Sequence, residues 1–460
     1  MTEPSTEPQI TPDRAADHSQ AVAERLEEIH PADGAEVMRA LPQDQAADVA
    51  EYLDPHTAAD VLAAMDPILA ASVIVDMELP EAAMVLEAMN PDDRVDVMAH
   101  LPRALREQLI SEMDASDAAE VRQLEQYPPD TAGGIMTTQV TALFEYLTVD
   151  NAITLLRRLN EEFEQIYYVY VIDRRHHLVG VLSMRDLILA KPDTALRDIM
   201  KGDILSVPVT MDQEEVARVM RRHGYLALPV VDQRNRLVGL ITADDIGDVA
   251  EEEATEDMHK LGGMEALDEP YTSVSIWTMF RKRGVWLSVL FVGQMFTATV
   301  IEGFEERLAQ ALLLMAFVPL IISSGGNSGS QATSLIIRAM ALGEVRLADW
   351  WRVMRREAVC ALLLGLWLGI LGILRVAFWH WFGWTDYTAF YIFVGFTVGT
   401  ALVGVVLWGS LVGSMLPFVL RRIGLDPATS SAPFVATLVD VTGLIIYFTA
   451  AVFILRGTLL

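Results

Sequence analysis

One cysteine, Cys360, stands in 460 residues. That scarcity excludes a disulfide framework and any metal site built from several thiolates of one chain. Lysine is absent from the first 130 residues, which hold 29 acidic and seven basic side chains. The formal net charge of −29 leaves no cationic face for a phosphate backbone, so no nucleic acid is expected as a partner. No nucleophile–base constellation and no Walker motif in a supporting context occurs, which argues against an enzyme or an ATP-driven pump. The opening MTEPSTEPQI has no basic flank and no apolar run, so it does not read as a signal peptide and is expected in the cytoplasm.

Charge is scarce in another way beyond residue 270. Residues 1–270 carry −33 and residues 271–460 carry +4, while 52% of the whole chain is hydrophobic. The break marks the main domain boundary. Four stretches beyond it, 284–301, 308–337, 358–374 and 387–420, hold no charge, and a fifth, 427–455, holds only Asp440. A helix needs about 20 apolar residues to cross the hydrocarbon core, so five spans are expected in a lipid bilayer. Arg281, Lys282 and Arg283 precede the first span. Arg338, Arg346, Arg352, Arg355 and Arg356 lie between the second and third, and Arg421 and Arg422 between the fourth and fifth. The other two connections hold Arg307 among Glu302, Glu305 and Glu306, and a WHWFGWTDY stretch without lysine or arginine. This alternation orients the N-terminus to the cytoplasm and the C-terminus outside. Pro417, Pro427 and Pro433 are expected to break helices around the last two spans.

Prolines recur at Pro31, Pro42, Pro55, Pro67, Pro80, Pro91 and Pro102. Between them lie short amphipathic pieces such as DPHTAADVLAAM, with Asp or Asn before Pro as an N-cap pattern. No such helix buries its apolar face alone, so residues 21–130 are expected to stack as an acidic superhelical array behind a disordered tail, 1–20.

Residues 169–187, VYVIDRRHHLVGVLSMRDL, match residues 228–246, LPVVDQRNRLVGLITADDI, at an offset of 59. Each copy reads as strand, turn at Asp173 or Asp232, strand and helix start, with Ser183 and Thr242 as caps and Asp186 and Asp245 three residues on. The unit resembles the paired CBS domain, whose G-h-h-[S/T]-x-x-D motif stands here as Gly180–Asp186 and Gly239–Asp245. That gives CBS copies over 131–200 and 201–246. The resemblance implies ATP or another adenine nucleotide held by Ser183, Asp186, Thr242 and Asp245; ordinary helix capping explains the same residues.

Residues 244–257 include eight acids and no base. At helical spacing Asp245, Asp248, Glu252 and Glu256 share a stripe, with Glu253 and Asp257 beside it. Like charges four apart repel, and a hard dication such as magnesium or calcium suits such oxygen-rich clusters. A solvated acidic linker is the alternative. In the membrane region, GGNSGSQATS (325–334) places polar side chains where they need a cavity or a partner helix. Asp440 is a functional candidate by its isolation in an apolar span. A two-fold dimer would bring two such carboxylates to one axis, a fitting arrangement for a partly hydrated Mg2+. Gly365/Gly369, Gly395/Gly399 and Gly409/Gly413 permit close helix contact.

Together with YPPDTAGGIMT (127–137), EEEATEDMHKLGG (251–263), GGNSGSQATSLIIRAMALGEV (325–345) and DPATSSAPFVATLVDVTGLIIYF (426–448), this layout resembles the MgtE magnesium transporter family over essentially the whole chain. The resemblance implies a multidomain protein: an all-α superhelical N domain, an α/β CBS pair, a connecting plug helix (247–270) and an all-α five-helix transmembrane domain (271–460). It implies a homodimeric, magnesium-selective, channel-like transporter of a bacterial plasma membrane, with Mg2+ as substrate and regulator. Asp440 falls on the family's pore aspartate. Gly325, Gly326, Asn327 and Gln331 fall in its pore motif. Asp245, Asp248, Glu253, Glu256 and Asp257 align with acids that bind regulatory Mg2+. Gly224 and Gln139 depart from the pattern, standing where many relatives carry an acid. A secondary divalent-cation carrier or exporter, and a membrane-tethered sensor that transports nothing, are the alternative readings.

Overall fold

The computed structural model describes residues 12–159, 168–267, 271, 274–308, 312–385, 387 and 390–456. It divides into two compact units, residues 1–251 and 252–460.

The first unit opens with nine helices among the described residues: α1 (Pro12–Leu26), α2 (Pro31–Ala40), α3 (Gln43–Tyr52), α4 (Pro55–Ala63), α5 (Pro67–Asp76), α6 (Leu79–Ala88), α7 (Pro91–Ala99), α8 (Arg103–Glu112) and α9 (Ala115–Leu124). The expected tail over 1–20 is too long. The chain is helical from Pro12, where helix formers such as Ala15, Ala16, Ala21 and Leu26 follow; residues 1–11 lie outside the described residues. Each helix packs on the one two places along, α3 on α5 and α4 on α6 for example, which is the stacking of a superhelix. The repeat that drives it is buried alanine and valine: Ala58, Ala59 and Val61 recur as Ala70, Ala71 and Val73, and again as Ala82, Ala83 and Val85. Small side chains let short helices close on one another. Asp54 and Asp66 cap α4 and α5 ahead of Pro55 and Pro67. Pro42 and Pro102 occupy the cap position themselves. Arg94 is buried at 2% exposure. Its guanidinium donates to the carbonyls of Leu86, Glu87 and Met89 and to Asp117 at 2.7 Å, tying α7 to the end of α6 and to α9.

The duplicated segment gives two three-stranded sheets of the same topology. The first holds β1 (Ala142–Phe144), α10 (Val149–Leu159), β2 (Tyr168–Ile172), β3 (Leu178–Ser183), α11 (Met184–Leu189) and α12 (Leu196–Ile199). The second holds β4 (Val207–Pro208), α13 (Gln213–His223), β5 (Ala227–Val231), β6 (Leu237–Thr242) and the start of α14 (Asp245–Leu261). In each sheet the first pair is parallel and the hairpin antiparallel. The hairpins grip one another reciprocally: Leu178 N donates to Asn235 O and Leu237 N to His176 O. A side chain at Gly180 or Gly239 would strike the sulfur of Met200 or Met136, so each motif glycine makes room for a methionine of the segment laid across its strand. Gly224 closes α13 at φ 65°, a left-handed C-cap that favours glycine over an acid.

The second unit contains α15 (Ile276–Leu308), α16 (Val318–Ala341), α17 (Trp350–Trp381), α18 (Tyr391–Arg422) and α19 (Ala432–Leu455), all long and apolar enough to cross a membrane. α18 packs on α16, α17 and α19, while α15 packs chiefly on α19. Glycines set these distances. A Cβ on Gly409 or Gly413 would collide with the carbonyl of Gly325 or Gly329, and Gly369 lies against the carbonyl of Gly399. Of the three prolines expected to break helices, Pro427 and Pro433 start elements, but Pro417 lies inside an unbroken α18. The reason is local. Pro417 has no N–H for the carbonyl four residues back, that of Gly413, and the Thr333 hydroxyl lies 2.9 Å from that oxygen.

Candidate functional site

Each unit holds one candidate site. In the first, α7 begins with NPDDRVD and presents Asp92, Asp93 and Asp96, while the start of α14 presents Asp245 and Asp248. These acids face one another. Asp92 is buried, its Oδ1 has no hydrogen-bond partner, and Asp245 and Asp93 are its charged neighbours. Burial pushes its carboxyl well above the usual range, and the two aspartates add to the effect. Asp93 is pushed up to about 7 by burial, then by Asp245, Asp96 and Asp248. Asp248 is raised by burial, then by Glu251 and Asp244. An orphaned buried carboxylate oxygen among like charges is costly. Oxygen ligands in such number suit a hard dication. The sequence reading placed Asp245 and Asp248 here but named no N-domain partner; the DD-x-x-D spacing of Asp92, Asp93 and Asp96 was the available signal.

The caps behave as local pairs. Asp186 Oδ2 accepts from Ser183 N at 3.1 Å and Oγ at 2.6 Å, and Asp186 N donates back to Ser183 Oγ. Asp245 Oδ2 accepts from Thr242 N at 2.9 Å and Oγ1 at 2.7 Å. Between the two copies lies a cavity of about 170 Å³ lined by Thr138, Val140, Ala142, Ile172, His176, Leu237 and Val238. Ser183, Asp186, Thr242 and Asp245 do not line it.

In the second unit, Asp440 sits half-buried on α19. Gly326 of α16 leaves the space beside it, its Cβ position lying 3.7 Å from Asp440 Oδ1. Gly293 lets α15 close on Thr437 of α19, and the side-chain amide of Gln294 donates to the Asp440 carboxylate. Gln294 escaped the sequence reading, although it is a polar residue inside a charge-free stretch. Asn327 and Gln331, four residues apart, are both exposed on one face of α16. Two other polar residues of that helix reach its neighbours: Ser328 Oγ lies 2.6 Å from Ser410 Oγ, and Ser330 Oγ donates to Ala432 O. Gly325 and Gly326 are both buried, and Gly325 lies against Val405 and Val439, where lack of a side chain lets α16 meet α18 and α19. Glu256 pairs with Lys260 at 2.5 Å, while Glu253 and Asp257 are half-buried on the same helix.

The sequence matches the family model of divalent cation transporter MgtE over residues 318–450, that of the MgtE intracellular N domain over 29–130, and that of the CBS domain over 132–193 and 196–250. It is 44% identical to magnesium transporter MgtE of Thermus thermophilus over 339 residues, 74% of this chain and 73% of the relative. It is 35% identical to magnesium transporter MgtE of Enterococcus faecalis over 346 residues, again 74% and 73%. Among solved structures, it resembles the cytosolic domain of the Mg2+ channel MgtE in complex with ATP, with 38% identity, a TM-score of 0.48, and coverage of 50% of this chain and 94% of that one.

Proposed function

The chain belongs to the MgtE family of divalent cation transporters, and from that premise we propose that it carries Mg2+ into a bacterial cell, down the electrochemical gradient, through a pore between two copies. The observation that carries the reading is Asp440: a half-buried carboxylate in an apolar span, oriented by Gln294 and given room by Gly326. One carboxylate per copy holds a dication without trapping it, because charge is limited and water is retained in the shell. Asn327 and Gln331 offer neutral oxygen ligands on a face that the single chain leaves open. The arginine alternation supports a plasma-membrane orientation with the first 270 residues inside.

The acidic cluster is the sensor. Mg2+ bound by Asp92, Asp93, Asp245 and Asp248 removes the repulsion between α7 and α14, which stabilises the compact arrangement of the first unit and closes the pore. When Mg2+ is scarce, the carboxylates repel and α14 is released. An adenine nucleotide at the CBS pair is a second ligand; the cavity between the copies is smaller than the roughly 300–1,000 Å³ typical of small-molecule sites, so it receives only part of such a molecule.

The deciding experiment is Mg2+ flux into liposomes loaded with a fluorescent indicator. Asp440→Ala is expected to abolish flux while the protein still inserts. Undiminished flux in that variant removes the pore assignment. Currents no faster than carrier turnover favour the carrier reading instead.

A further inference from the structure

α14 carries seven carboxylates and, apart from His259, one basic residue, Lys260. Lys260 sits near the C-terminal end of the helix, only 24% exposed, and its ammonium is shared. Nζ lies 2.5 Å from Glu256 Oε1 one turn back and 2.7 Å from Asp426 Oδ2, far along the chain. Asp426 is itself divided. Its Oδ1 accepts from Ala428 N at 2.9 Å and caps the 3-10 turn Pro427–Thr429, which leads through Ser431 into the first turn of α19. One carboxylate therefore holds the end of α14 and caps the turn that leads into the helix bearing Asp440.

Neighbouring contacts make the joint stiff. Gly263, at φ 73°, ends the turn after α14, and a Cβ there would stand 3.2 Å from both Pro433 of α19 and Trp286 of α15. His259 Nδ1 accepts from Leu267 N, and Lys282 Nζ donates to Ala266 O. The segment after α14 is thus pressed against the starts of α15 and α19. From Ala432 to Asp440 the path is one continuous helix, about 12 Å at 1.5 Å per residue. A helix transmits displacement of its first turn with little loss, since its backbone hydrogen bonds resist stretching.

The geometry points to Lys260 as a positioning residue for ion passage: through Asp426 it couples the position of α14 to α19 and so to the Asp440 carboxylate. The inference rests on the reading of Asp440 as the cation site and of α14 as the gate. It adds an element that acidic residues cannot supply, a cation that converts displacement of an acidic helix into a pull on the pore helix.

The test compares Lys260→Met, Asp426→Asn, their double variant and Lys260→Arg in the full-length protein in liposomes. Asparagine keeps the cap on Ala428 while removing the charge. Flux is measured against external Mg2+, and separately against Mg2+ on the cytoplasmic side. Each single variant is expected to raise the cytoplasmic Mg2+ needed for half-suppression by about fivefold or more, the scale of ordinary allosteric coupling. The external half-saturating concentration stays put, the double variant is no worse than either single one, and Lys260→Arg recovers the native value. A purely structural role would lower the maximum flux and leave the half-suppression point where it was; that result overturns the assignment, as does additivity in the double variant. Protease cleavage within 259–267 gives a readout independent of transport. It is expected to quicken in Lys260→Met and not in Lys260→Arg, and equal cleavage rates in the two also overturn the coupling. Native protein that shows no suppression by cytoplasmic Mg2+ refutes the gating reading instead, and the cleavage comparison then decides the Lys260 contact by itself.

Discussion

Asp186 and Asp245 occupy equivalent positions, 59 residues apart, in the two copies of the CBS domain, yet their carboxyls are shifted in opposite directions. Asp186 is held below the usual carboxylate range by the Ser183 hydroxyl and backbone N–H. Asp245 receives the same pair of hydrogen bonds from Thr242, but burial raises it further than they lower it, and Asp244 and Asp248 add to the rise. The motif is identical; the surroundings divide its work. One copy keeps a plain helix cap, and the other turns its cap toward the acids of α7.

The shifts carry a sign. Asp92, Asp93, Asp245 and Asp248 all have folded-state values above the model-peptide range, so between about pH 4 and pH 7 the folded first unit binds more protons than the unfolded chain. Metal-free stability is therefore expected to rise as pH falls through about 7 toward 4. On the proposed reading, Mg2+ takes the place of those protons. Thermal melting of the full-length protein is expected to show a larger Mg2+-induced rise near pH 8 than near pH 5. Equal rises at both, or a loss of metal-free stability on mild acidification, count against the cluster.

Asp92→Asn sharpens the same argument. The variant removes one buried like charge without changing shape, so it is expected to stabilise the metal-free protein at neutral pH by about 1–3 kcal/mol and to weaken the stabilisation by Mg2+. Ordinary structural carboxylates lose stability on such a change, so denaturant titration with and without Mg2+ separates the two roles.

Much of this was legible in the chain, for reasons that differ by region. The spans follow from runs of uncharged residues, because lipid punishes charge whatever the neighbours are. The N-domain stacking follows from short amphipathic pieces between prolines that recur every 11–13 residues. Pro417 was misread because a broken hydrogen bond inside one helix was repaired by Thr333 from another, and no local pattern announces that repair. Gly325 falls in the pore motif that the resemblance implies, and its neighbours in space, Val405 and Val439, come from two other helices. The Asp92–Asp245 meeting and the Gln294–Asp440 hydrogen bond are likewise long-range pairings of residues whose types were visible and whose partners were not.

The repair at Pro417 is testable. Thr333→Val keeps the volume but leaves Gly413 O without its donor, and Thr333→Ser keeps the donor. Hydrogen bonds between membrane helices average about 0.6 kcal/mol and reach roughly 1.7. The Thr333 hydroxyl also lies 3.0 Å from Gly329 O; the valine variant is expected to lose stability on that scale, and the serine variant to stay near native, as read by unfolding in detergent. A valine variant as stable as native means that the hydroxyl does not serve Gly413.

Glycines of α18 are not interchangeable. A methyl at Gly413 would meet the carbonyl of Gly329, which as backbone cannot swing aside, whereas a methyl at Gly395 finds Ile373 at 3.7 Å, an ordinary contact. Gly413→Ala is expected to separate α16 from α18 and lose both stability and flux, the cost of overpacking being typically 1–3 kcal/mol. Gly395→Ala is expected to behave as native. Similar melting temperatures for the two variants would mean that the close approach of α16 and α18 is absent.

The proposed two-fold pore gives the last prediction, and it turns on which face of α16 a single chain leaves bare. Asn327 and Gln331 are exposed, while Ser328, one residue from Asn327, is buried against Ser410. A cysteine scan discriminates these faces once the exposed native Cys360 is replaced by serine. Asn327→Cys and Gln331→Cys are expected to react with a small water-borne thiol reagent, to be protected by Mg2+, and to form dimers on oxidation in membranes. Ser328→Cys is expected to do none of these. If Asn327→Cys is labelled only by lipid-soluble reagents and never joins two chains, its face meets lipid. The oxygen ligands assigned to that face would then have no cation to serve, and Asp440 would have to work without them.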